Sequence, residues 1–185
     1  QHVLWATDFF TTEVWSKTGL VTMHVLFFIH LETRRVVIGG ITEHPHEEWM
    51  KQVARNLTGF DGELEHAKYL IHDRDGKYCP AFDTIIEGSG IDIVKLPAKS
   101  PNLNAFAERW VRSVKDECLS QLILFGERQL RYVLKDYLAH YHAERNHQGR
   151  NHEILFPDAR LDQTGRVTKF ERLGGLLTFY HRDVA

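Results

Sequence analysis

A change of hydrophobic periodicity near position 45 is the feature that most constrains the fold of this 185-residue chain. Before it, three apolar runs rich in β-formers follow one another at 2–10, 20–31 and 34–42, with short polar connections. Runs of this kind predict an antiparallel three-stranded meander. We expect the first strand to end at Asp8, where a side chain can project at the edge of the sheet.

Beyond position 45 the apolar residues recur at helical spacing, and two short apolar runs interrupt them. The predicted helices lie at 45–59, 79–90, 103–122 and 127–142, and the predicted short strands at 68–72 and 91–97. Strands that alternate with helices pair in parallel. The order βββ-α-β-α-β-α-α therefore predicts an α/β protein with a ribonuclease H-like fold. Its mixed five-stranded sheet would have three antiparallel strands, then two parallel ones, with helices flanking the sheet.

The length of the chain predicts one compact domain, which we place at residues 1–152, with an appendage at 153–185. Within the appendage the sequence favours two strands joined around Gly174 and Gly175, which would form a β-hairpin. The chain opens with strand-like sequence and without an initiator methionine, so we expect it to be a piece of a longer protein.

Composition narrows the class of protein. No apolar run approaches the roughly 20 residues that span a bilayer, so no membrane association is expected. The cysteines Cys79 and Cys118 form no Cys-x-x-Cys pair, which argues against a disulfide framework and predicts a cytoplasmic location. Residues 1–90 carry 8 basic and 13 acidic side chains, a net charge of −5, whereas residues 91–185 carry 15 and 12, a net charge of +3. This asymmetry has two explanations. The charges can be scattered at random, or the carboxylates can bind a metal beside cations that bind phosphate.

Three carboxylates stand at informative positions. Asp8 and Asp73 each follow an apolar strand, and if these strands are neighbours the two side chains emerge together. Glu108 lies on the third predicted helix, two residues from both Phe106 and Trp110, hence roughly 200° around the helix from the buried stripe. It should therefore face away from the deepest core. Taken singly, each acid is more simply explained as a turn residue, a cap or a surface ion-pair partner.

Together the three acids suit phosphodiester chemistry. Mg²⁺ prefers oxygen ligands and uses few carboxylates. Two such ions about 3.5–4 Å apart can activate an attacking oxygen and stabilise the leaving oxygen. Zinc is disfavoured, because the twelve histidines form no pairs with cysteines and no His-Glu-x-x-His motif. The sequence also has no GxxxxGK loop, which argues against ATP hydrolysis.

The stretch LIHDRDGKY, residues 70–78, carries two acids directly after an apolar strand. A calcium loop of the EF-hand type does not fit, since counting from Asp73 places the glycine fourth instead of sixth. Both Asp73 and Asp75 are candidates for a metal ligand on this ground alone. His72 beside them can tune the site or be a satisfied histidine at the strand edge.

Three segments resemble the motifs of the retroviral-integrase-type catalytic core, which bacterial insertion-sequence transposases of the DDE type share. They are WATDFF (5–10), HDRDGKY (72–78) and SPNLNAFAERWVRSVKDECL (100–119). The 34 residues between Asp73 and Glu108 are close to the spacing usual in that family. A fourth segment, 137–157, is similar to the region after the catalytic helix, although the usual Asn is replaced and no Pro precedes His147. The likeness covers about residues 1–157.

The resemblance implies that Asp8, Asp73 and Glu108 form the catalytic triad and bind Mg²⁺ or Mn²⁺. Tyr78 lies five positions after Asp73, which matches the family's interval from the second Asp to an aromatic residue. The metal role therefore goes to Asp73, and Asp75 becomes a turn or supporting residue. The implied chemistry is DNA strand cleavage and strand transfer by water or a DNA 3′-hydroxyl, without a covalent enzyme intermediate.

Cations and polar side chains near the triad are expected to contact DNA phosphates. These are Lys95, Lys99, Asn102, Asn104, Arg109, Arg112, Lys115, Arg145 and His147. The implied partners are transposon ends, target DNA and further copies of the chain in a homodimer or larger multimer, in a bacterial cytoplasm. In that family, the reading of transposon ends belongs largely to an N-terminal helix-turn-helix region. Two alternatives stay open: a ribonuclease H-like nuclease that only hydrolyses, and a non-catalytic DNA-binding protein derived from a transposase.

Overall fold

The computed structural model describes residues 3–96, 105–147, 149, 151–157 and 165–182. Its strands are β1 (Leu4–Ser16), β2 (Gly19–His30), β3 (Val36–Thr42), β4 (Tyr69–His72), β5 (Asp92–Lys95), β6 (Val167–Arg172) and β7 (Leu177–Arg182). Its helices are α1 (Glu47–Thr58), α2 (Pro80–Gly88), α3 (Ala105–Glu117) and α4 (Gly126–Ala143). Within the described part of the chain, none of these helices has the length and apolar character that crossing a membrane requires.

The chain forms two compact units, Gln1–Val111 and Arg112–Ala185. The first contains a five-stranded sheet with the strand order β3-β2-β1-β4-β5. The pairs β1–β2 and β2–β3 are antiparallel, whereas β1–β4 and β4–β5 are parallel. The predicted mixed sheet, with three antiparallel strands followed by two parallel ones, is confirmed.

The strand β1 is longer than the sequence analysis predicts. Asp8 is the fifth of its thirteen residues and lies opposite Phe27 of β2, so the prediction that the strand ends at Asp8 is wrong. The β-branched residues beyond Asp8 continue the pairing as far as Ser16, opposite Gly19. Gly19 has a φ of 122°, which lets the chain reverse tightly into β2.

One face of the sheet packs against α1 and α2. Met50 and Val53 of α1 and Phe82 and Ile86 of α2 share one buried cluster with Leu70 of β4. Helical spacing of apolar residues predicts α1, whereas α2 is predicted from Pro80 in its first turn and Gly88 at its end. Their burial holds the strand that precedes Asp73 in a fixed position.

The opposite face of β1 and β2 receives the first half of α3. The Trp110 ring is fully buried, with its centroid 4.3 Å from that of Phe27 and 5.6 Å from that of Phe10. Side chains alternate along a strand, so Asp8, two residues before Phe10, points to this same face. The aromatic contacts therefore dock α3 beside Asp8.

Two glycines let α1 approach β3 closely. A Cβ at Gly39 would lie 2.5 Å from Cε2 of Phe28, and a Cβ at Gly40 would lie 2.6 Å from Cζ2 of Trp49. The pairing of β2 with β3 shifts register at this point, between Leu26 and Phe27. Both glycines are therefore required by the packing of aromatic rings and not by backbone conformation.

The second unit contains α4 and a β-hairpin. β6 and β7 pair antiparallel and are joined around Gly174 and Gly175, whose φ angles are 70° and 93°. The Arg172 guanidinium donates to Glu144 at 3.0 Å and to Asp136 at 2.7 Å, which ties the hairpin to α4. The structure thus has the two strands predicted around these glycines, and the domain bounds 1–152 and 153–185 stay a prediction.

Gly39→Ala is expected to lower the free energy of unfolding by about 1–3 kcal/mol, because the new methyl group would collide with the fully buried Phe28 ring. Gly88→Ala is the matched control. Its Cβ would meet nothing within 4 Å at the last residue of α2, so we expect no loss, or a gain of up to about 1 kcal/mol. Urea unfolding followed by circular dichroism measures both, and equal stability of the two variants would contradict the packing argument.

Candidate active site

Parallel pairing of β1 with β4 brings the first two acids of the predicted triad together. Ala6 of β1 pairs with Ile71 of β4. Asp8 and Asp73 each follow two residues later, so the two carboxylates leave neighbouring strands at the same level. A one-residue shift of register would separate them by about 3.3 Å along the strand direction and turn one carboxylate to the other face.

The third acid comes from α3. Trp110 fixes this helix against the face of β1 that bears Asp8, and Glu108 lies two residues before Trp110 with an exposed side chain. Phe106 lies in the first turn of this helix. The Arg34 guanidinium is 3.1 Å from the centre of its ring, a cation–π contact. Glu108 faces away from the deepest core, as its position on the helix predicts.

The electrostatics of Asp8 indicate that the acids act on one another. Burial raises the pKa of Asp8 to about 6, against an ordinary value of 3.8. The hydrogen bond from the Phe9 backbone N–H, at 2.7 Å, opposes this shift, and the negative charges of Asp73, Asp75 and Glu108 add to it. Four carboxyl groups from three elements therefore lie close enough for their negative charges to interact.

The loop after β4 separates the roles of its two acids. The Oδ1 atom of Asp73 accepts the backbone N–H of Asp75 at 3.0 Å, and its side chain is otherwise exposed. Asp75 accepts the Lys77 backbone N–H at 2.9 Å and forms an ion pair with the Lys77 ammonium. Burial raises the pKa of Asp75, but the hydrogen bonds from Lys77 outweigh it and hold that pKa below its ordinary value. Asp75 thus has a cation of its own, which fits the predicted turn role.

Tyr78 anchors the same loop to β1. Its ring is buried and stacks on the His72 ring at 4.3 Å. Its hydroxyl donates to Oγ1 of Thr7 at 3.5 Å, and Thr7 donates to the Phe27 carbonyl at 2.8 Å. The aromatic residue five positions after Asp73 therefore sets the distance between this loop and the residue next to Asp8.

The donor set fits a hard divalent cation. Carboxylate oxygens are the ligands that Mg²⁺ and Mn²⁺ prefer. Burial first, and then the charges of Asp73, Asp75 and Glu108, raise the pKa of Asp8, and a bound cation would offset both effects. Among the described residues, no group of three or more His, Cys, Asp or Glu side chains is arranged closely enough to hold an ion. Asp8, Asp73 and Glu108 as metal ligands stay a prediction.

The predicted DNA contacts fall into four groups. Arg109 and Arg112 have exposed side chains, and Lys115 is half-buried. Lys95 on β5 forms an ion pair with Asp83, with Nζ 2.6 Å from Oδ2. Three further predicted contacts lie outside the described residues, namely Lys99, Asn102 and Asn104.

The last two predicted contacts are engaged within the second unit. The Arg145 guanidinium donates to Glu117 at 2.5 Å and 2.9 Å. His147 is 7% exposed, and its Nε2 donates to the Tyr141 carbonyl at 2.8 Å. These contacts do not support the expected phosphate binding by Arg145 and His147, which stays a prediction.

Sequence reasoning did not single out Asp83, which is 6% exposed and contacts His72. The signal was present in the helical pattern. Asp83 lies three residues before Ile86 and next to Phe82, so it occupies the buried stripe of α2, where a carboxylate is costly unless it is paired. The sequence leaves both a tuning and a structural role open for His72, and the structure buries its side chain to 1% exposure.

Asp8→Asn is expected to stabilise the metal-free protein by about 1–3 kcal/mol at pH 7.5. The folded pKa of Asp8 lies above its ordinary value, so its contribution to stability is complete below about pH 4 and is lost as the pH rises through about 6. An amide removes that loss and can still accept the Phe9 N–H. Thermal melts between pH 4 and pH 8 should show a gain that disappears toward acid pH.

Asp75→Asn is the control, because it removes the same charge close to Asp8 but also removes the ion pair with Lys77. We expect it to give no gain at pH 7.5, or a loss. If Asp8→Asn gives no gain at neutral pH, the buried negative field around Asp8 is not as described.

Comparisons with known proteins agree with the fold. Residues 89–153 match the family model described as an integrase core domain. The fold of the chain also matches a chain of the simian T-cell lymphotropic virus intasome in complex with the PP2A regulatory subunit B56 gamma. The TM-score is 0.57 and the identity 14%, over 98% of this chain and 66% of that one. No curated protein sequence matches the chain.

Two isolated integrase cores are similar as well. One is the HTLV-2 integrase catalytic core domain in complex with magnesium, in a dimeric form, with a TM-score of 0.56 and 10% identity over 76% of this chain and 86% of that one. The other is the BIV integrase catalytic core domain, with a TM-score of 0.55 and 14% identity over 80% and 89%. At these identities the likeness establishes the fold.

The origin in a bacterial insertion sequence stays a prediction. The resemblance itself is confirmed: the chain has the fold of a retroviral-integrase-type catalytic core, and its residues 89–153 match an integrase core domain.

Proposed function

We propose that this chain is the catalytic core of a DDE-type DNA transposase or integrase that cleaves DNA strands and transfers them in a metal-dependent reaction. The observation that carries the proposal is the shared negative field of Asp8, Asp73 and Glu108, produced by the β1–β4 register and by the docking of Trp110. The matching integrase core fold supports it.

Asp8, Asp73 and Glu108 would hold the cation. When bound, Mg²⁺ or Mn²⁺ supplies activation of the attacking oxygen and charge stabilisation at the leaving oxygen. The chain itself positions the three carboxylates from two strands and one helix. Because Asp8 is partly buried, its carboxylate lies where water screens charge poorly, which strengthens its attraction for a cation.

Among the described residues, the Tyr78 phenol lies close to the acids but does not offer a nucleophile. Burial holds the pKa of the Tyr78 phenol well above its usual range, so the hydroxyl stays protonated at neutral pH. We propose a water or a DNA 3′-hydroxyl as the attacking group, as the family resemblance implies, without a covalent protein–DNA intermediate.

DNA and further copies of the chain are the proposed partners. Strand transfer joins two DNA ends, so two active sites must act together. The HTLV-2 core in a dimeric form and the simian virus intasome are assemblies of similar folds. Exposed Arg109 and Arg112 supply cations for phosphate contact on α3.

Asp73→Asn is expected to lower DNA nicking and joining by about 100-fold or more, because a direct ligand should cost at least as much as the 10–100-fold typical of supporting residues. Asp75→Asn should lower both by about 10-fold or less. The measurement uses supercoiled plasmid for nicking, and for joining it uses labelled duplexes from DNA that flanks the coding region, with Mn²⁺.

Three outcomes would contradict the proposal in different ways. Unchanged activity of Asp73→Asn would contradict the site assignment. Nicking without any joined product would favour the hydrolytic nuclease. DNA binding without nicking or joining in the wild type would favour the non-catalytic DNA-binding protein.

Metal binding is expected to weaken in acid. A proton on Asp8 competes with the cation, and the pKa of Asp8 is about 6 in the metal-free protein. Below about pH 6, the apparent Kd for Mn²⁺ should therefore rise about tenfold per pH unit for this one proton. Titration with Mn²⁺ between pH 5 and pH 8 measures it, and a Kd that does not change over this range would exclude Asp8 as a ligand.

A further inference from the structure

A network of polar contacts, largely buried, lies directly behind Asp73. The Nδ1 atom of His72 donates to the carbonyl oxygen of Asp73 at 2.6 Å. The Nε2 atom of the same ring lies 3.2 Å from Oδ1 of Asp83, and the other carboxylate oxygen, Oδ2, lies 2.6 Å from Nζ of Lys95. These three residues come from β4, α2 and β5, and His72 and Asp83 are 1% and 6% exposed.

This arrangement is expensive for the fold. A buried carboxylate and a buried imidazole lose hydration that their mutual contacts only partly replace. Most of the surrounding side chains of α2 and β4 are apolar, with Phe82, Ile86 and Leu70 in the same buried cluster. An apolar residue at position 83 would complete that cluster at a lower cost in free energy. The network of polar contacts therefore calls for a role other than stability.

The contacts reach the backbone of Asp73 itself. His72 holds the Asp73 carbonyl, and the Asp75 N–H holds the Asp73 carboxylate at 3.0 Å. Both ends of the residue are thereby restrained, although Asp73 follows the last residue of β4 and its side chain is exposed. The stacking of Tyr78 on the His72 ring at 4.3 Å leaves the imidazole little room to turn.

We propose that Asp83 is a positioning residue: through His72 it fixes the backbone of Asp73, so that the Asp73 carboxylate is preorganised to bind a divalent cation. The same contacts assign Lys95 to this network of polar contacts, as the partner of Asp83, and not to a DNA phosphate. The inference rests on the proposed function, because it needs Asp73 to be a metal ligand. It depends on the contacts of His72 and Asp83 and not on a change of their protonation.

Asp83→Asn tests the proposal directly, since it keeps the shape of the side chain and removes its charge. We expect the Kd for Mn²⁺ to rise by about 10-fold or more, the effect typical of residues that orient a metal ligand. The full chain is titrated with Mn²⁺ without DNA, and the free ion is followed by electron paramagnetic resonance. Circular dichroism at the same temperature establishes that the variant is folded.

Asp92→Asn is the matched control. It makes the same change of charge at an exposed position of β5. Its Kd for Mn²⁺ should equal that of the wild type. A long-range effect of charge alone would weaken Mn²⁺ binding in both variants, and this outcome would overturn the positioning role of Asp83.

Lys95→Gln is the second test. Because the Lys95 side chain is half-exposed, we expect this variant to fold. If Lys95 belongs to the network of polar contacts, the variant weakens Mn²⁺ binding and leaves the salt dependence of DNA binding unchanged. If Lys95 contacts phosphate, Mn²⁺ binding is unchanged and the slope of log K against log salt falls by about 1. The second result would overturn the assignment of Lys95.

The two levels of the hypothesis fail differently. If the wild type binds Mn²⁺, Asp73→Asn weakens that binding, and Asp83→Asn binds like the wild type, the positioning role is wrong while the proposed function stands. If the wild type binds no Mn²⁺, or Asp73→Asn binds it as well as the wild type, Asp73 is not a ligand and both are wrong. Should Asp83→Asn not fold, Lys95→Gln decides through the same Mn²⁺ titration.

Discussion

The parallel pairing of β1 with β4 is the contact on which the rest of the site depends. Ala6 opposite Ile71 determines that Asp8 and Asp73 leave adjacent strands at one level. The two strands are far apart in the chain, and the meander and α1 lie between them. The buried cluster that α1 and α2 share with Leu70 is what holds β4 in this register. Packing on one face of the sheet therefore sets the geometry of acids that belong to the other side of the structure.

The negative charge of Asp8 is costly at the position that the fold gives it. Burial and three neighbouring carboxylates disfavour its charge, and only one hydrogen bond from Phe9 favours it. Asp75 is a contrasting case, since Lys77 compensates it fully enough to lower its pKa. A fold selected for stability alone would pair both acids. Uncompensated charge at Asp8 beside a compensated Asp75 is the distribution expected where a cation is to bind.

Local sequence predicted the elements well because their signals are local. The alternation of β-formers, the helical spacing after position 45 and the glycines at the turns each act within a few residues. The end of β1 was mispredicted because a polar residue within an apolar strand looks like a terminus. Its continued pairing with β2 is decided by the tight turn at Gly19 and by the partner strand. The metal role proposed for Asp73 rests on the family's spacing to an aromatic residue and to Glu108. The structure adds that this aromatic residue, Tyr78, anchors the loop to Thr7.

The sequence by itself determined the order of strands and helices, the mixed sheet, and the three acids with their spacing, because these depend on periodicity and on residue type along the chain. Only the tertiary structure decided which groups face one another. It buried His147 against Tyr141, gave Arg145 to Glu117 and Lys95 to Asp83, and placed His72 behind Asp73. The physical reason is that a cation reads alike in sequence whether it meets phosphate or a carboxylate. The partner is set by contacts between residues far apart in the chain.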